Sequence, residues 1–322
     1  MLRSIEILMS ENYFEVIRAG INTTFQDNGR KNLNHIGIPA SGAIDKRNYK
    51  LVNKILNNDI NHPALEFAYQ GPKLIYYGEP LSIAVTGDVN FKLIRKNIET
   101  EGKCYESITI ENNDEIDLIS TNKSVYGYFS VTAKFQIDYQ WKSCSTNTKA
   151  NIGANNGKKL ENSQKLHVLD IKDITKRSIN YINTRIENIR VIRGTNFDYF
   201  SKEAQQNFFS EEFYVTKLSD RMGMRLEGKK LENIVNTNIK SEGLVKGVIQ
   251  VPADGNPIIM LSDHGTIGGY PKIATVISAD FDKLAQLPPG SKIKFKEVNL
   301  TDAETIFKLY EMETNTLLSK IT

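Results

Sequence analysis

Cysteine is nearly absent from this chain of 322 residues: only Cys104 and Cys144 occur, and no Cys-x-x-Cys pair. A disulfide framework and a cysteine metal cluster are thereby disfavoured, and two buried free thiols in a reducing compartment are expected. The four histidines (His35, His62, His167 and His264) are far apart and give no zinc spacing. His62 and His167 read as structural, and no metal is expected. No apolar run approaches the ~18 residues that cross a bilayer. The first twenty residues lack the apolar core and small-residue cleavage site of a signal peptide, so a cytoplasmic location is expected. Neither sign of charge dominates, with 41 basic against 38 acidic residues and a net charge of +3. Without a basic stripe interleaved with aromatics, nucleic acid is disfavoured as a partner. Phosphate-loop chemistry also lacks its motif. The segment Gly153–Lys159 is one residue short of it and has no hydroxyl for magnesium. There is no Gly-x-Ser-x-Gly nucleophile elbow, which argues against an α/β-hydrolase.

What the chain has in quantity is strand signal. Lys73–Gly78, Leu81–Gly87, Tyr105–Ile110, Glu115–Ser120 and Val125–Ala133 are short, rich in β-branched and aromatic residues, and bounded by turn formers. Their spacing of about ten residues predicts an antiparallel barrel or sandwich rather than βαβ units. One early helix is predicted over Asp45–Asn58, with Asp45 as N-cap and Tyr49, Val52, Ile55 and Leu56 on its apolar face. The polar stretch Cys144–Lys165 reads as a long loop, functional or mobile. Beyond it come a strand at Asn188–Gly194, a helix over Phe197–Phe209, and further strands. A closing helix is predicted over Thr301–Ser319, with Thr301 and Glu304 at capping-box spacing. Length predicts about two domains. The boundary falls in the segment 173–185, near residue 180, giving domains 14–180 and 186–322, both mainly β with a few helices.

Four Gly-rich polar clusters join these strands: Thr23–Asp45, Ser219–Gly228, Gly247–Pro257 and Ser262–Ile273. Glycine permits positive φ and close approach of a ligand to backbone N–H groups. Arginine offers bidentate contacts to carboxylate or phosphate, and buried carboxylates can move protons. Each cluster alone also reads as an ordinary β-turn with structural ion pairs. Four of one character point to a shared polar site.

The motif order Thr-x-x-Gln-Asp-x-Gly-Arg, His-x-Gly-Ile-Pro-x-Ser-Gly-Ala-x-Asp, Ser-Asp-Arg-Met-Gly-x-Arg-Leu-Glu-Gly, Gly-x-Ile-Gln-Val-Pro-x-Asp-Gly-x-Pro and Thr-x-Gly-Gly-Tyr-Pro-Lys-Ile-Ala resembles the biotin-dependent carboxyltransferase-like family, also called the allophanate hydrolase subunit 2 family. The resemblance runs from about Phe14 to Phe295. It implies two cyclophilin-like β-barrel domains, a partner B subunit of related, kinase-inhibitor-like fold, and an A subunit. The implied activity is that of the C subunit in an ATP-dependent 5-oxoprolinase, opening the 5-oxoproline lactam to glutamate. Two alternatives come with the family. One is a carboxyltransferase component for a urea-like amide, with biotin carried by another protein. The other is a non-catalytic antagonist of a kinase-inhibitor protein. ATP as a cofactor is implied by the resemblance only.

Carried over residue by residue, the resemblance nominates His35, Asp45, Arg221 and Asp254 as catalytic. It nominates Arg30, Arg225, Gln250, Asp263, Thr266, Gly268, Gly269 and Tyr270 as substrate-binding. The arginines are expected to hold carboxylate or phosphate, an aspartate or His35 to move a proton, and the Gly268–Gly269 backbone to lie against the ligand. Replacing Arg221 by Ala is expected to abolish turnover and leave the fold intact. The chain departs from the family pattern at Lys142–Thr146, where Lys142 stands for glycine and Cys144 for arginine. It also lacks the tyrosine that usually follows Gly-Arg-x-Gly in the first cluster, since Gly29-Arg30 is followed by Lys31-Asn32-Leu33.

Overall fold

A computed structural model of the chain describes residues 11–322, apart from 175, 183, 185, 187, 236 and 237. Residues 1–10, on which half of the leader-peptide reading rests, lie outside the described residues, as do positions 175, 183 and 185 of the expected boundary segment.

The first half contains β1 (Tyr13–Arg18), β2 (Thr24–Gln26), α1 (Lys46–Ile55), β3 (Ala64–Ala68), β4 (Lys73–Tyr77), β5 (Leu81–Thr86), β6 (Val89–Arg95) and β7 (Ile98–Glu101). It continues with β8 (Ser107–Ile110), β9 (Glu115–Thr121), β10 (Tyr126–Val131), β11 (Lys134–Phe135) and β12 (Lys165–Leu169). Seven strands form one sheet in the order β11-β12-β1-β4-β9-β6-β7, and five form another in the order β2-β3-β10-β5-β8. Alternation decides which side chains enter the core between them. Phe14 and Val16 of β1, Leu74 and Tyr76 of β4, and Ile116 and Leu118 of β9 point inward, while their neighbours are half-exposed. In contrast β3, β5 and β10 are buried along their whole length, because α1 covers the second face of that sheet. Tyr49, Val52 and Ile55 of α1 pack with Ala84 and Tyr128. Asp45 caps α1 as predicted, accepting from Asn48 N. The helix stops at Ile55, short of the expected Asn58, and Asn57 takes a left-handed φ of 54°.

The second half contains β13 (Asn188–Arg193), α2 (Lys202–Ser210), β14 (Phe213–Val215), β15 (Gly223–Gly228), β16 (Glu242–Gly243), β17 (Val248–Gln250) and β18 (Ile258–Met260). Then follow β19 (Ile267–Gly268), β20 (Lys272–Val276), α3 (Phe281–Ala285), β21 (Lys292–Glu297) and α4 (Leu300–Ser319). Seven of these strands close a barrel in the order β13-β20-β17-β18-β15-β14-β21, sealed by the parallel pairing of β13 with β21. The mainly β reading with a few helices therefore stands. Two helix starts differ from expectation. The region of Phe197–Phe209 is a 3-10 turn (Phe197–Tyr199) followed by α2, because Phe200 is extended and Ser201, accepting from Ala204 N, makes a fresh cap. The last helix starts at Leu300, capped by Asn299, which accepts from Asp302 N. The expected Thr301/Glu304 pair is displaced by two residues because Asn299 and Asp302 meet the same three-residue spacing earlier.

The halves share apolar and polar contacts. Ile44, Ala68, Val125 and Tyr126 of the first half belong to the core of the barrel. Helix α4 returns across the junction to α1, where Leu317, Leu318 and Ile321 join the cluster of Tyr49 and Val52. Between the two helices, Arg47 donates to Thr314 Oγ1 (3.0 Å) and Glu313 Oε2 (2.9 Å) and lies 4.2 Å from the Tyr310 ring centre.

Candidate functional site at the junction of the halves

Arg221 precedes β15 and reaches out of the barrel into the first half. Its Nε donates to Asp263 Oδ2 (2.8 Å) and its Nη2 to Asp263 Oδ1 (3.1 Å), Gly42 O (2.8 Å) and Gln26 Oε1 (3.4 Å). Its Nη1 donates to Glu66 Oε1. Glu66 sits in the apolar strand β3, and its other oxygen accepts from Ile44 N (2.8 Å) and Tyr128 Oη (2.6 Å). All three charged side chains are buried. Burial works against the guanidinium charge, but Asp263 and Glu66 outweigh it and raise the Arg221 pKa well above its ordinary value. Each of its three nitrogens has a protein partner, so Arg221 acts as a tie between the halves. The expectation that its loss leaves the fold intact is corrected accordingly.

A second buried shell lies beside this tie. Asp27 accepts from Gly29 N (2.8 Å), Ser143 Oγ (2.7 Å), Ser145 Oγ (2.7 Å) and Cys144 N (2.8 Å). The carboxylate thus fixes the loop Ser143–Asn147, which is buried throughout and is ordered by these bonds. Lys142 takes the positive φ (62°) that a glycine would favour, and Cys144 is fully buried in the core. Burial, then the neighbouring Asp27, raises the Cys144 thiol pKa well above its usual value, which keeps the sulfur protonated and inert. Arg30, also buried, donates from Nη2 to Ser145 O (2.5 Å), while its Nε and Nη1 are enclosed without a hydrogen-bond partner. Burial lowers the Arg30 pKa against the opposing pull of Asp27 and Asp263. Two unmatched, buried donors on one cation are costly, and a carboxylate or phosphate oxygen would satisfy them.

The third element is the buried start of α1. Asp45 accepts from Asn48 N (3.0 Å) on Oδ1, and from Asn48 Nδ2 (2.6 Å) and Gln286 Nε2 (2.8 Å) on Oδ2. Burial and then the nearby Asp282 push its pKa up to about 7. Across the junction, Lys246 lies 3.5 Å from the Phe281 ring centre and 3.5 Å from Ile44 O. Burial, aided by Lys46 and Arg221, lowers its pKa to about 7 against the pull of Asp282. Lys246 and Asp282, with Lys46, Lys50, Phe281 and Tyr310, line a cavity of about 430 Å³, and Asp45 lies buried behind that wall.

The structure brings Arg30, Asp45, Arg221 and Asp263 to this junction and leaves other nominated residues elsewhere. His35 is exposed in the 3-10 turn Asn34–Ile36. Arg225 is exposed on β15. Asp254 is exposed, and its carboxylate accepts from Asn256 N (3.1 Å) and Asn256 Nδ2 (2.9 Å) within its own turn. Gln250 is buried and donates to Tyr270 O (3.1 Å). Gly268 and Thr266 belong to a small bridge in which β19 pairs with β16 and Leu244 N donates to Thr266 O (2.9 Å). A Cβ on Gly268 would lie 2.7 Å from Gln250 Nε2 and 2.8 Å from Leu244 Cδ1, and one on Gly269 3.1 Å from Ile239 O. The space in front of these glycines is therefore filled by the protein's own side chain and backbone, and Tyr270 beside them is part-exposed. The reading of Gly268–Gly269 as a ligand cradle gives way to an internal fit. Sequence reasoning missed Asp27, Glu66, Tyr128, Lys246 and Gln286. A carboxylate inside an apolar strand, Ala64-Leu65-Glu66-Phe67-Ala68, was the available signal for Glu66.

Among the described residues, no three His, Cys, Asp or Glu side chains gather as a metal set. The family model for the carboxyltransferase domain, subdomains A and B, matches residues 36–297. The 5-oxoprolinase C subunit of Escherichia coli K12 is 31% identical over 290 residues, covering 90% of this chain and 92% of that protein. The protein of the same name from Haemophilus influenzae is 30% identical over 299 residues, covering 92% and 95%. Among solved structures, the urea carboxylase of Kluyveromyces lactis superposes with a TM-score of 0.87 at 26% identity, over 97% of this chain and 30% of that one.

Proposed function

This chain belongs to the carboxyltransferase-domain family, and from that membership we propose that it is the C subunit of a 5-oxoprolinase-type hydrolase, working with a B subunit of related fold and an A subunit. The observation that carries the reading is reciprocal coverage. The chain and the E. coli 5-oxoprolinase C subunit match over nine-tenths of both lengths, whereas it spans only 30% of the K. lactis urea carboxylase.

The junction supplies groups suited to lactam opening. The reaction adds water to the ring carbonyl and breaks its C–N bond. The nitrogen leaves as an amine with a gained proton, and ATP hydrolysis drives the change. The unfilled N–H groups of Arg30 suit the substrate carboxylate or the charge developing on the carbonyl oxygen. Asp45, poised near pH 7, suits proton transfer. Arg221 positions Asp263 and Glu66, with its nitrogens already committed to protein acceptors. The structural likeness to urea carboxylase favours one second reading, carboxyl transfer from biotin carried by another protein.

Co-expression with the genomic partners, followed by assay of ADP and glutamate with and without 5-oxoproline, tests this. Substrate-dependent glutamate that disappears when this chain is omitted is the expected result. A stable complex without such turnover, or carboxyl transfer from a biotinylated carrier, would replace the proposal.

A further inference from the structure

The cavity at the junction has a composition that the lactam chemistry does not use. It lies between α1, α4 and the end of the barrel, and four lysines line it: Lys31, Lys46, Lys50 and Lys246. Only two acids line it, and both are engaged. Glu311 pairs with Lys50 at 3.5 Å. Asp282 accepts from Arg47 N (2.9 Å) and from the Tyr310 hydroxyl. Among the described residues, Lys31, Lys46 and Lys246 have no acidic partner within ion-pair distance. Confining like charges at one cavity is unfavourable unless an anion joins them. Burial is the main cause that lowers the Lys246 pKa, and Lys46 adds to it against the pull of Asp282.

The opposite wall is aromatic. Phe307 and Tyr310, one turn apart on α4, lie nearly parallel at 15° with ring centres 6.4 Å apart. Arg47 covers Tyr310 at 4.2 Å and Lys246 covers Phe281 at 3.5 Å, but Phe307 is 40% exposed. Its face is available for stacking. The volume, about 430 Å³, is within the usual range for small-molecule sites.

We propose that this cavity binds a nucleoside polyphosphate, with Lys31, Lys46, Lys50 and Lys246 on the phosphates and Phe307 against the base. Asp45 already caps α1, so the lysine side chains and not the helix end do the binding. The inference rests on the proposed function and deepens it by placing the nucleotide on this chain, and it can be tested on the chain alone.

The test is calorimetric titration of the purified full chain with ATP, ADP, inorganic tripolyphosphate, adenosine and sulfate. Expected are saturable binding of ATP, weaker binding of tripolyphosphate, and none of sulfate. Lys31→Gln/Lys46→Gln, both exposed positions, should weaken ATP and tripolyphosphate by at least about tenfold. Phe307→Ala should weaken ATP several-fold and leave tripolyphosphate unchanged. No saturable ATP binding, equal binding of sulfate, or indifference to the lysine pair would overturn the site. Indifference of ATP to Phe307→Ala would overturn its nucleoside part. If the chain binds ATP as stated but the complex does not turn over 5-oxoproline, the proposed function fails and this inference stands. An active complex whose KM for ATP ignores the lysine pair, with no binding by the chain, gives the reverse.

Discussion

The barrel of the second half closes seven strands around side chains that are almost all apolar, whereas the first half buries a polar shell beside its two-sheet core. In the barrel, β-sheet closure leaves no edge, and apolar alternation is sufficient to hold it. In the first half, Asp27, Arg30, Ser143, Ser145 and Asn147 are each less than one-tenth exposed. Such groups are tolerable only when hydrogen-bonded, and all find partners, but Arg30 leaves its Nε and Nη1 unmatched. The contrast locates the unmet bonding capacity. The barrel lends Arg221 and Asp263 to the junction as rigid supports, and the first half supplies the group left with unmet bonding capacity.

The largest expected effect breaks the support. Arg221→Ala strands Glu66 and Asp263 as unpaired buried charges and should cost about 3–5 kcal/mol in urea unfolding. Arg225→Ala, exposed on the neighbouring strand, should change stability by less than about 0.5 kcal/mol. Equal stability of the two variants would mean that the junction is not held by charge.

Next in size is a backbone contact in the polar shell. A Cβ on Gly153 would lie 2.0 Å from Ser145 O, at a φ of +100°. Gly153→Ala therefore combines left-handed strain with a backbone clash, for a total of about 3 kcal/mol. Because the displaced atom belongs to the loop that surrounds Asp27, the variant should also lose activity in the assembled complex. A stable, active Gly153→Ala protein would show that the shell is plastic.

Much of this arrangement was legible in the sequence, for local reasons. Strands such as Glu115–Thr121 announce themselves by alternation, and Asp45 by its place before an apolar periodic run. The Gly-Arg, Ser-Asp-Arg and Asp-His-Gly neighbourhoods did supply Arg30, Arg221 and Asp263. What stayed hidden depends on contacts between distant segments. Glu66 is separated from Arg221 by 155 residues, and Gln286 from Asp45 by 241. No local pattern encodes such pairs. Asp254 and His35 carry the right chemistry in Gly-rich turns, yet their turns face solvent. The Gly268–Gly269 pair misled for a related reason. Glycine marks close approach, but sequence does not say whether the approaching group is a ligand or, as here, Gln250.

Titration sharpens the comparison from another side, because Asp45 comes from the first half and Lys246 from the second. Asp45 has a folded pKa of about 7, above the unfolded value of about 3.9. The folded state binds more protons between these values, so stability falls as pH rises through that window. Lys246 has a folded pKa of about 7, below the unfolded value of about 10.4. There the unfolded state binds more protons, so stability rises with pH from 7 upward. The two contributions meet in a minimum near neutral pH, each with a limiting slope of about 1.4 kcal/mol per pH unit. Urea midpoints for Asp45→Asn, which keeps a good N-cap, should lose the acid limb, by about 2 kcal/mol between pH 5 and 6.5. Lys246→Met should lose the alkaline limb. Identical pH profiles for wild type and both variants would remove these groups from the linkage.

The smallest effect is expected where the barrel half has its own tight glycine. Gly268 has an ordinary φ, and a Cβ there would meet Gln250 Nε2 and Leu244 Cδ1, the far ends of flexible side chains, and not backbone. Gln250 can rotate at the expense of its bond to Tyr270 O, so Gly268→Ala should cost about 1 kcal/mol. A control on the partner strand β16, where a Cβ on Gly243 meets nothing within 4 Å, separates crowding from the loss of glycine as such: Gly243→Ala should be neutral or slightly stabilising. If the Gly268→Ala variant binds and turns over normally in the complex at this modest cost, the glycine serves packing of the β16–β19 bridge. Loss of turnover in a stable Gly268→Ala protein would instead put a substrate or partner chain against that bridge, and the functional surface would then extend from the first half's polar shell across to the barrel.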